Sequence, residues 1–355
     1  MAVLSLGTAG VLLLAAATVC LSSGCATLGY YAQSVGGHLA IVRAARPVAD
    51  WQADAQTPAV LKEHLALSQR IRDYAVRVLK EPDNASYRRY ADLQRGAALW
   101  NVVAAPELSL KLATWCFPVV GCVGYRGYYA QADAQAFAQT LRTRGLEVSV
   151  YGVPAYSTLG LLPGGVFADP LLSTFIDYPQ GELARLIFHE LAHQIAFAKG
   201  DTVFNESFAT AVERIGSARW LADFGDASQR EEQARIETRR QDFRDLTARY
   251  RAEFEALYAS TASDATKRAA KLSLLERLRA DHEHLKSERW GGYSGYDGWF
   301  ARANNAAFGV LAAYQELVPN FERLFEREGR DFNRFYAEVK RLAALPESER
   351  RAALR

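Results

Sequence analysis

Apolar residues recur at helical spacing through the first part of the chain. In residues 30–45 and again in residues 57–79 they return every three or four positions, with polar residues between them. This spacing places the apolar side chains on one face of a helix. Residues 87–103 are predicted as a third helix, so residues 25–106 are expected to form an N-terminal helical part.

The pattern changes over residues 107–160, where β-forming residues are frequent. The segments 108–115, 119–125 and 146–151 are rich in branched and aromatic residues. Between them, residues 130–144 keep the helical period. The segment therefore predicts a small sheet with one helix inserted into it.

Further helices and a long charged stretch follow. Residues 181–198 and 205–224 are predicted as helices. Residues 226–289 are almost continuously polar but keep apolar residues at helical spacing, which predicts a charged helical hairpin with its turn near residues 260–263. This hairpin is either a solvated pair packed on the main domain or an arm that binds a protein partner. Residues 302–317 are predicted as another helix.

These elements predict an α+β fold that is mostly helical. The expected divisions are a signal segment at 1–24, the helical part at 25–106, a core with the sheet at 107–225, the charged hairpin at 226–290 and a C-terminal helical part at 291–355. The chain has 355 residues and 50% hydrophobic content, enough for a sizeable core. Lys+Arg 42 against Asp+Glu 40 leaves no electrostatic footprint for nucleic acid.

Residues 1–24 stand apart because they contain no charged residue. Their apolar run is too short for a comfortable membrane span and suits a secretory signal. Small residues before Cys25 resemble a bacterial lipoprotein cleavage box, in which the cysteine is lipidated. This predicts a periplasmic protein of the cell envelope, anchored by lipid to a membrane. Ala26 is not an inner-membrane retention signal, which favours the outer membrane; the alternative is an uncleaved anchor helix.

Cys116 and Cys122 are six residues apart across a predicted tight turn. In an oxidising periplasm such a pair forms a disulfide. The alternative is two buried free thiols.

His189 and His193 lie four residues apart in an apolar segment. On a helix this spacing brings both imidazoles to one face, where both reach one metal ion. Glu190 lies beside them and is the predicted general base for a zinc-activated water. Catalytic zinc takes three protein ligands and a water, so a third ligand is required. The alternative is a helix with incidental polar residues.

Glu206 is the predicted third ligand, 13 residues after His193. Asn205-Glu206 followed by Phe208-Ala209 resembles the Asn-Glu-Gly-Phe-Ala segment of gluzincin aminopeptidases, in which that Glu binds zinc. No third histidine follows at metzincin spacing. Glu213 is expected to orient one of the histidines, with a role as ligand or as an ordinary surface carboxylate left open.

Hydrolysis also needs a donor for the oxyanion of the transition state. Tyr293 and Tyr296 of a glycine- and tyrosine-rich loop, the Asn304-Asn305 pair, and Asn205 beside the predicted ligand are the candidates. The alternative for the tyrosines and for the Asn304-Asn305 pair is an ordinary place in the core or on the surface.

Several segments together resemble the bacterial putative aminopeptidase family of predicted zinc-dependent lipoproteins. The resemblance implies a zincin-like fold with an edge strand along the cleft, a zinc ion, a peptide substrate and aminopeptidase activity. A different class remains open, namely a lipid-anchored envelope scaffold or binding protein with a structural or vestigial metal site. The segments that carry the resemblance are the lipoprotein-like start, Tyr30-Tyr31-Ala32-Gln33, Cys116–Cys122, Tyr125-Arg126-Gly127-Tyr128, His189–His193 and Asn205–Ala209.

Overall fold

Helices make up most of the fold, and the strands form small sheets. The predicted signal segment 1–24 and Cys25 lie outside the residues that the computed structural model describes. The fold is α+β, as predicted, and none of its described helices is long and apolar enough to cross a membrane. The described residues are 28–117, 121–159, 168–313 and 316–354.

Three helices and a small sheet open the described chain. The helices pack their apolar faces into the main core, because residues such as Leu65 and Ile71 recur at helical spacing and are fully buried. Strand β2 pairs antiparallel with β1 and parallel with β8. The elements are α1 (28–44), β1 (Arg46–Pro47), α2 (Val48–Ala53), α3 (Ala59–Arg77), β2 (Arg89–Ala91) and β8 (Leu171–Leu172).

The central sheet has the order β6-β3-β7, and both of its pairings are antiparallel. Side chains alternate between its faces, so Val102 and Ala104 contact helix α4 while Val103 and Ala105 contact helix α10. The elements are β3 (Leu99–Pro106), β6 (Arg126–Tyr128), α4 (Gln131–Arg142), β7 (Leu146–Val153) and α10 (Asn305–Ala313).

The helix predicted over residues 87–103 is wrong. This segment contains β2, and its last five residues belong to β3. There the β-branched pair Val102-Val103 packs on both faces of the sheet, which a one-sided helical pattern cannot reproduce. The predicted boundary at residue 106 therefore separates the middle strand from its sheet. The strand predicted over 108–115 is also displaced, because a turn follows Pro106 and pairing resumes only at Trp115.

A short hairpin lies between β3 and β6. Cys116 and Cys122 occupy opposite positions in its antiparallel register, with their Cα atoms 3.8 Å apart, and a disulfide joins them. The bond clips two strands of three residues each, which are too short to hold a hairpin by themselves. The strands are β4 (Trp115–Phe117) and β5 (Gly121–Val123).

Helices α5 (Gln180–Ala192) and α6 (Thr202–Phe224) pack closely in the main core. A side chain at Gly216 would come within 2.8 Å of the Phe188 ring, so this glycine permits the close approach. Helix α5 ends six residues before the predicted end at 198, because residues 193–195 form a turn in which the amides of Gln194 and Ile195 donate to carbonyls three residues back.

The predicted helical hairpin is confirmed as α7 (Ala227–Ala259) and α8 (Asp264–Glu288). Asp226 and Ser263 cap the two helices by accepting a backbone hydrogen bond, so the turn falls where it was predicted. The hairpin and residues after it share a second core that includes Phe254 and Phe308. Trp290 also donates to Asp242 at 3.0 Å. Partner binding through 226–290 stays a prediction.

The C-terminal helices return to the start of α6. Helix α10 begins at Asn305 rather than at the predicted residue 302. The carboxylate of Asp201, which caps α6, accepts hydrogen bonds from Arg350 at 2.5 Å and Arg351 at 2.8 Å. The remaining elements are α9 (Asp297–Ala301), α11 (Val318–Arg327), α12 (Phe332–Ala343) and α13 (Glu347–Leu354).

Replacing Asp201 by Asn should lower the free energy of unfolding by about 3–5 kcal/mol, because Arg350 would lose its buried counter-ion. Asparagine keeps an oxygen for the cap at Phe204, so helix α6 should still start at the same residue. Urea denaturation measures the difference. The control Glu326→Gln removes an exposed pair with Arg330 and should change little; equal midpoints for both variants would contradict the prediction.

Candidate metal centre and its cleft

Three ligand atoms converge between α5 and α6. The Nε2 atoms of His189 and His193 are 3.2 Å apart, and Oε2 of Glu206 lies 3.4 Å from the first and 3.7 Å from the second. Tetrahedral ligands bound at zinc-like distances of roughly 2.0–2.2 Å are separated by about 3.4 Å. The three predicted ligand atoms therefore lie at the separations expected around a single ion with tetrahedral coordination.

The helical period and one loop produce this convergence. His189 lies in the last turn of α5, and His193 is the residue that ends it. The chain then reverses through Gly200, whose φ of +80° is unfavourable for residues with a side chain, and α6 returns Glu206 against both rings. The 13-residue separation is thus explained by a tight connection between two packed helices.

Asn205 closes that connection, because the hydrogen bonds of its side chain go to the backbone of Ala198. Its side-chain oxygen accepts from the amide of Ala198 at 2.8 Å, and its nitrogen donates to the carbonyl of Ala198 at 2.9 Å. Both of its polar groups are therefore occupied by backbone. The residue fixes the loop that sets the position of Glu206.

Glu213 contacts the ring nitrogen of His189 that does not face Glu206. Its Oε2 lies 3.0 Å from Nδ1 of His189, and its other oxygen pairs with Arg185. Burial alone would raise the pKa of Glu213, but Arg185 and His189 hold it at about 2. Its place fits the predicted orienting role rather than that of a ligand. Nδ1 of His193 has no such partner among the described residues.

The imidazole of His189 is strongly polarised by its neighbours. Burial alone would lower the pKa of His189, but hydrogen bonds to Glu206 and Glu213 raise it well above its ordinary value. Glu206 responds in the opposite sense, because His193 and His189 outweigh its burial and hold its pKa at about 2. Such a site attracts positive charge, whether a proton or a metal ion.

Glu190 borders two cavities that meet at His189. The first, of about 610 Å³, contains several tyrosines and is called here the tyrosine chamber. The second, of about 340 Å³, contains four arginines and is called the arginine chamber. Burial raises the pKa of Glu190, which brings it towards the range of a group that exchanges protons near neutral pH. The residues that define the chambers are Tyr30, Tyr125, Tyr129 and Tyr156 for the first and Arg185, Arg214, Arg240 and Arg244 for the second.

The phenols of the tyrosine chamber were not assigned as site residues from the sequence. Burial raises the pKa of Tyr125, and Glu206 raises it further, so this phenol stays protonated. Burial also raises the pKa of Tyr156, and that of Tyr129 to about 12. These groups are hydrogen-bond donors at neutral pH. The sequence signals for this chamber were the segments that contain Tyr30 and Tyr125, which carry part of the family resemblance.

The edge of the central sheet at the cleft is partly occupied. The side chain of Gln33 donates to the carbonyl of Gly127 at 3.2 Å and accepts from the amide of Tyr129 at 3.1 Å. These are the groups that a substrate backbone would use. The expected pairing of a substrate with this edge is therefore blocked where Gln33 lies.

The disulfide hairpin forms one wall of the tyrosine chamber. Val123 lines the cavity, and a side chain at Gly121 would come within 3.0 Å of the backbone nitrogen of Gly200. The pair Cys116–Cys122 therefore fixes a strand against the loop that follows the two histidines.

The other candidate donors lie outside the two chambers, which agrees with the alternative that placed them in the core or on the surface. Tyr296 stacks on Phe243 at a centroid distance of 4.5 Å in the second core, and Tyr293 is 42% exposed. Asn304 donates to the carbonyl of Val148, and Asn305 donates to Pro106 and Glu107. Helix α10 packs on the central sheet and not over the histidines. Neither the two tyrosines nor the two asparagines line the chambers.

A second acidic cluster has a different character. Ligand-type atoms of His282, Glu283 and Asp297 also lie within 4.8 Å of one another. However, the ammonium group of Lys286 lies 2.6 Å from Asp297 and 3.7 Å from Glu283. A cation is therefore already supplied by the protein. The geometry therefore favours the site between α5 and α6, and not this cluster, as the metal centre.

Comparison with known proteins gives a family. No curated protein and no solved structure matches the chain. One family, described as "Putative aminopeptidase", matches residues 29–354, which includes both chambers and all three converging residues. The chain belongs to this Putative aminopeptidase family.

Proposed function

We propose that this protein is a zinc-dependent aminopeptidase with a zincin-like, gluzincin-type arrangement. The observation that carries the proposal is the triangle of ligand atoms from His189, His193 and Glu206, with edges of 3.2–3.7 Å. Two imidazoles and a carboxylate are the donor set of many hydrolytic zinc sites, and they leave one position open. The family description supports a peptidase.

The residues around the triangle supply the remaining chemistry. When bound, a zinc ion polarises a peptide carbonyl and lowers the pKa of water. Glu190 removes the proton from the attacking water and returns it to the leaving amine. Tyr125 lines the chamber beside His189 and is a protonated donor for the oxyanion. The hydroxyl of Tyr156 is already 3.0 Å from Nδ1 of His38.

The tyrosine chamber would take the N-terminal residue of the substrate. Its carboxylates among the described residues are Glu190, Asp201 and Glu206. Asp201 is already paired with two arginines, and Glu206 is assigned to the metal. Glu190 is assigned to proton transfer, so the substrate amine is left to the faces of the tyrosine rings, which attract cations.

We also propose that the mature chain is anchored by lipid at Cys25 in the periplasm, most simply at the outer membrane. The uncharged segment 1–24 supports export. The disulfide between Cys116 and Cys122 supports an oxidising compartment.

Replacing His193 by Ala should abolish zinc binding, because only His189 and Glu206 would remain as ligands. Metal analysis of the purified lipid-free chain gives the zinc content per chain. His64→Ala is the control, since His64 pairs with Asp177 on the surface and should keep the wild-type content. Equal zinc in the wild type and the His193 variant would refute the ligand assignment.

Replacing Glu190 by Gln should keep the zinc and lower peptide cleavage by about 10²–10⁴-fold, because the general base is lost. Cleavage of free and N-acetylated peptides is measured with the same samples, and an aminopeptidase cleaves only the free ones. The exposed Glu231→Gln serves as control. Turnover that survives in the Glu190 variant would remove that residue from the mechanism.

Replacing Glu213 by Gln should weaken zinc affinity by about 10–100-fold, because His189 loses the carboxylate that orients it. Competition with a chelator measures the affinity. Glu237→Gln is the matched control, since Glu237 also pairs with Arg185 but is not bonded to a histidine. An equal loss of affinity in both variants would mean that the charge near Arg185 matters and not the contact with His189.

A further inference from the structure

The arginine chamber has a positive lining that the proposed mechanism does not use. It begins at His189 and Glu190 and extends along α5, α6 and α7. Its four guanidinium groups come from different helices: Arg185 from α5, Arg214 from α6, and Arg240 and Arg244 from α7. Buried arginines need acceptors, so the partners of each one indicate whether the chamber is complete.

Two of the four arginines are fully matched. Arg185 pairs with Glu213 and, at 2.9 Å, with Glu237. Arg240 pairs with Glu182 at 2.5 Å and with Glu237 at 2.8 Å. These contacts join the three helices and account for both charges.

The other two arginines are only partly matched. Arg244 pairs with Glu237, whose carboxylate Arg185 and Arg240 already share, and it donates from Nε to the side chain of Gln241 at 3.1 Å. Its Nη1 is buried without an acceptor among the described residues. Arg214 has one long contact of 3.4 Å to Glu322, and its buried Nε likewise has no acceptor in the described part of the chain. Burial lowers the pKa of Arg214, and the charge of Arg244 lowers it further, so the two cations repel each other.

An anion in the chamber would satisfy both groups. A buried donor without a partner costs free energy, and both arginines line the cavity that such an anion would occupy. Guanidinium groups bind carboxylates through parallel hydrogen bonds. The hydroxyl groups of Thr210 and Tyr178 line the same cavity and can add further donors.

We propose that Arg214 and Arg244 bind a carboxylate of the peptide substrate, on the side of the leaving amine. This inference rests on the proposed peptidase function. It makes the preferred substrates short peptides whose free C-terminus reaches the arginine chamber, while the N-terminal residue occupies the tyrosine chamber.

The size of the arginine chamber limits the length of such a substrate. Arg214 and Arg244 line the same cavity as His189, and its volume of about 340 Å³ corresponds to roughly 7 Å across. An extended peptide advances about 3.3–3.6 Å per residue. The carboxylate would therefore belong to the first or second residue after the bond that is cut, as in a dipeptide or tripeptide.

Binding to the Glu190→Gln variant tests the inference without turnover. Calorimetry compares the dipeptide Leu-Ala with a free C-terminus, Leu-Ala amide, and Leu-Glu amide. The free acid should bind at least about tenfold more tightly than Leu-Ala amide, the worth of one hydrogen bond between charged groups. Tight binding of Leu-Glu amide instead would assign the chamber to an acidic side chain. Equal binding of all three would overturn the proposal.

Variants of the two arginines test whether the preference for the free acid arises in the arginine chamber. Arg214→Gln and Arg244→Gln, each combined with Glu190→Gln, should lose the preference for the acid, whereas the surface variant Arg235→Gln should keep it. A preference that survives both chamber variants would overturn the assignment. The comparison of acid and amide in the Glu190→Gln protein stands even if a chamber variant does not fold. If the wild-type chain cleaves no peptide, the proposed function fails, whereas the acid-to-amide ratio still reports on the chamber.

Discussion

Buried charge between two apolar helices is the constraint on which the site depends. Helices α5 and α6 pack in the main core, yet they place two imidazoles and the carboxylates of Glu190, Glu206 and Glu213 between them. Such groups are costly to bury unless each has a partner. His189 meets two of the carboxylates, and His193 meets one. Any shift of one helix along the other would break several of these contacts at once.

The short connection between the helices turns that constraint into a defined geometry. Asn205 binds both polar groups of Ala198, while Asp201 caps α6 and accepts from Arg350 near the end of the chain. The loop is therefore fixed by two contacts, the side-chain amide of Asn205 and the ion pair between Asp201 and Arg350. This is why a segment of 13 residues can deliver Glu206 to the two rings without a larger inserted domain.

Local patterns were readable from the sequence, and distant contacts were not. The spacing of His189 and His193 fixes a shared helix face, and the capped, periodic segment 226–289 fixes a hairpin. The position of Tyr296 depends instead on how its loop packs on Phe243, which no local period encodes. The helix prediction over residues 87–103 failed for a related reason. A strand that is buried on both faces lacks the alternation of apolar and polar residues that marks a half-exposed strand.

The charged residues of α7 do not all face water, although the polar composition of the helix suggested that they would. Its charged residues suggested a helix surrounded by water, yet Glu237, Arg240 and Arg244 contact α5 or line the arginine chamber. The side chain of Arg244 is only 11% exposed. The hairpin thus closes one end of the cleft, and its charges are part of that wall. The hairpin packs on the main domain, which was one of the two alternatives left open by its sequence, and it contributes charged residues to the arginine chamber.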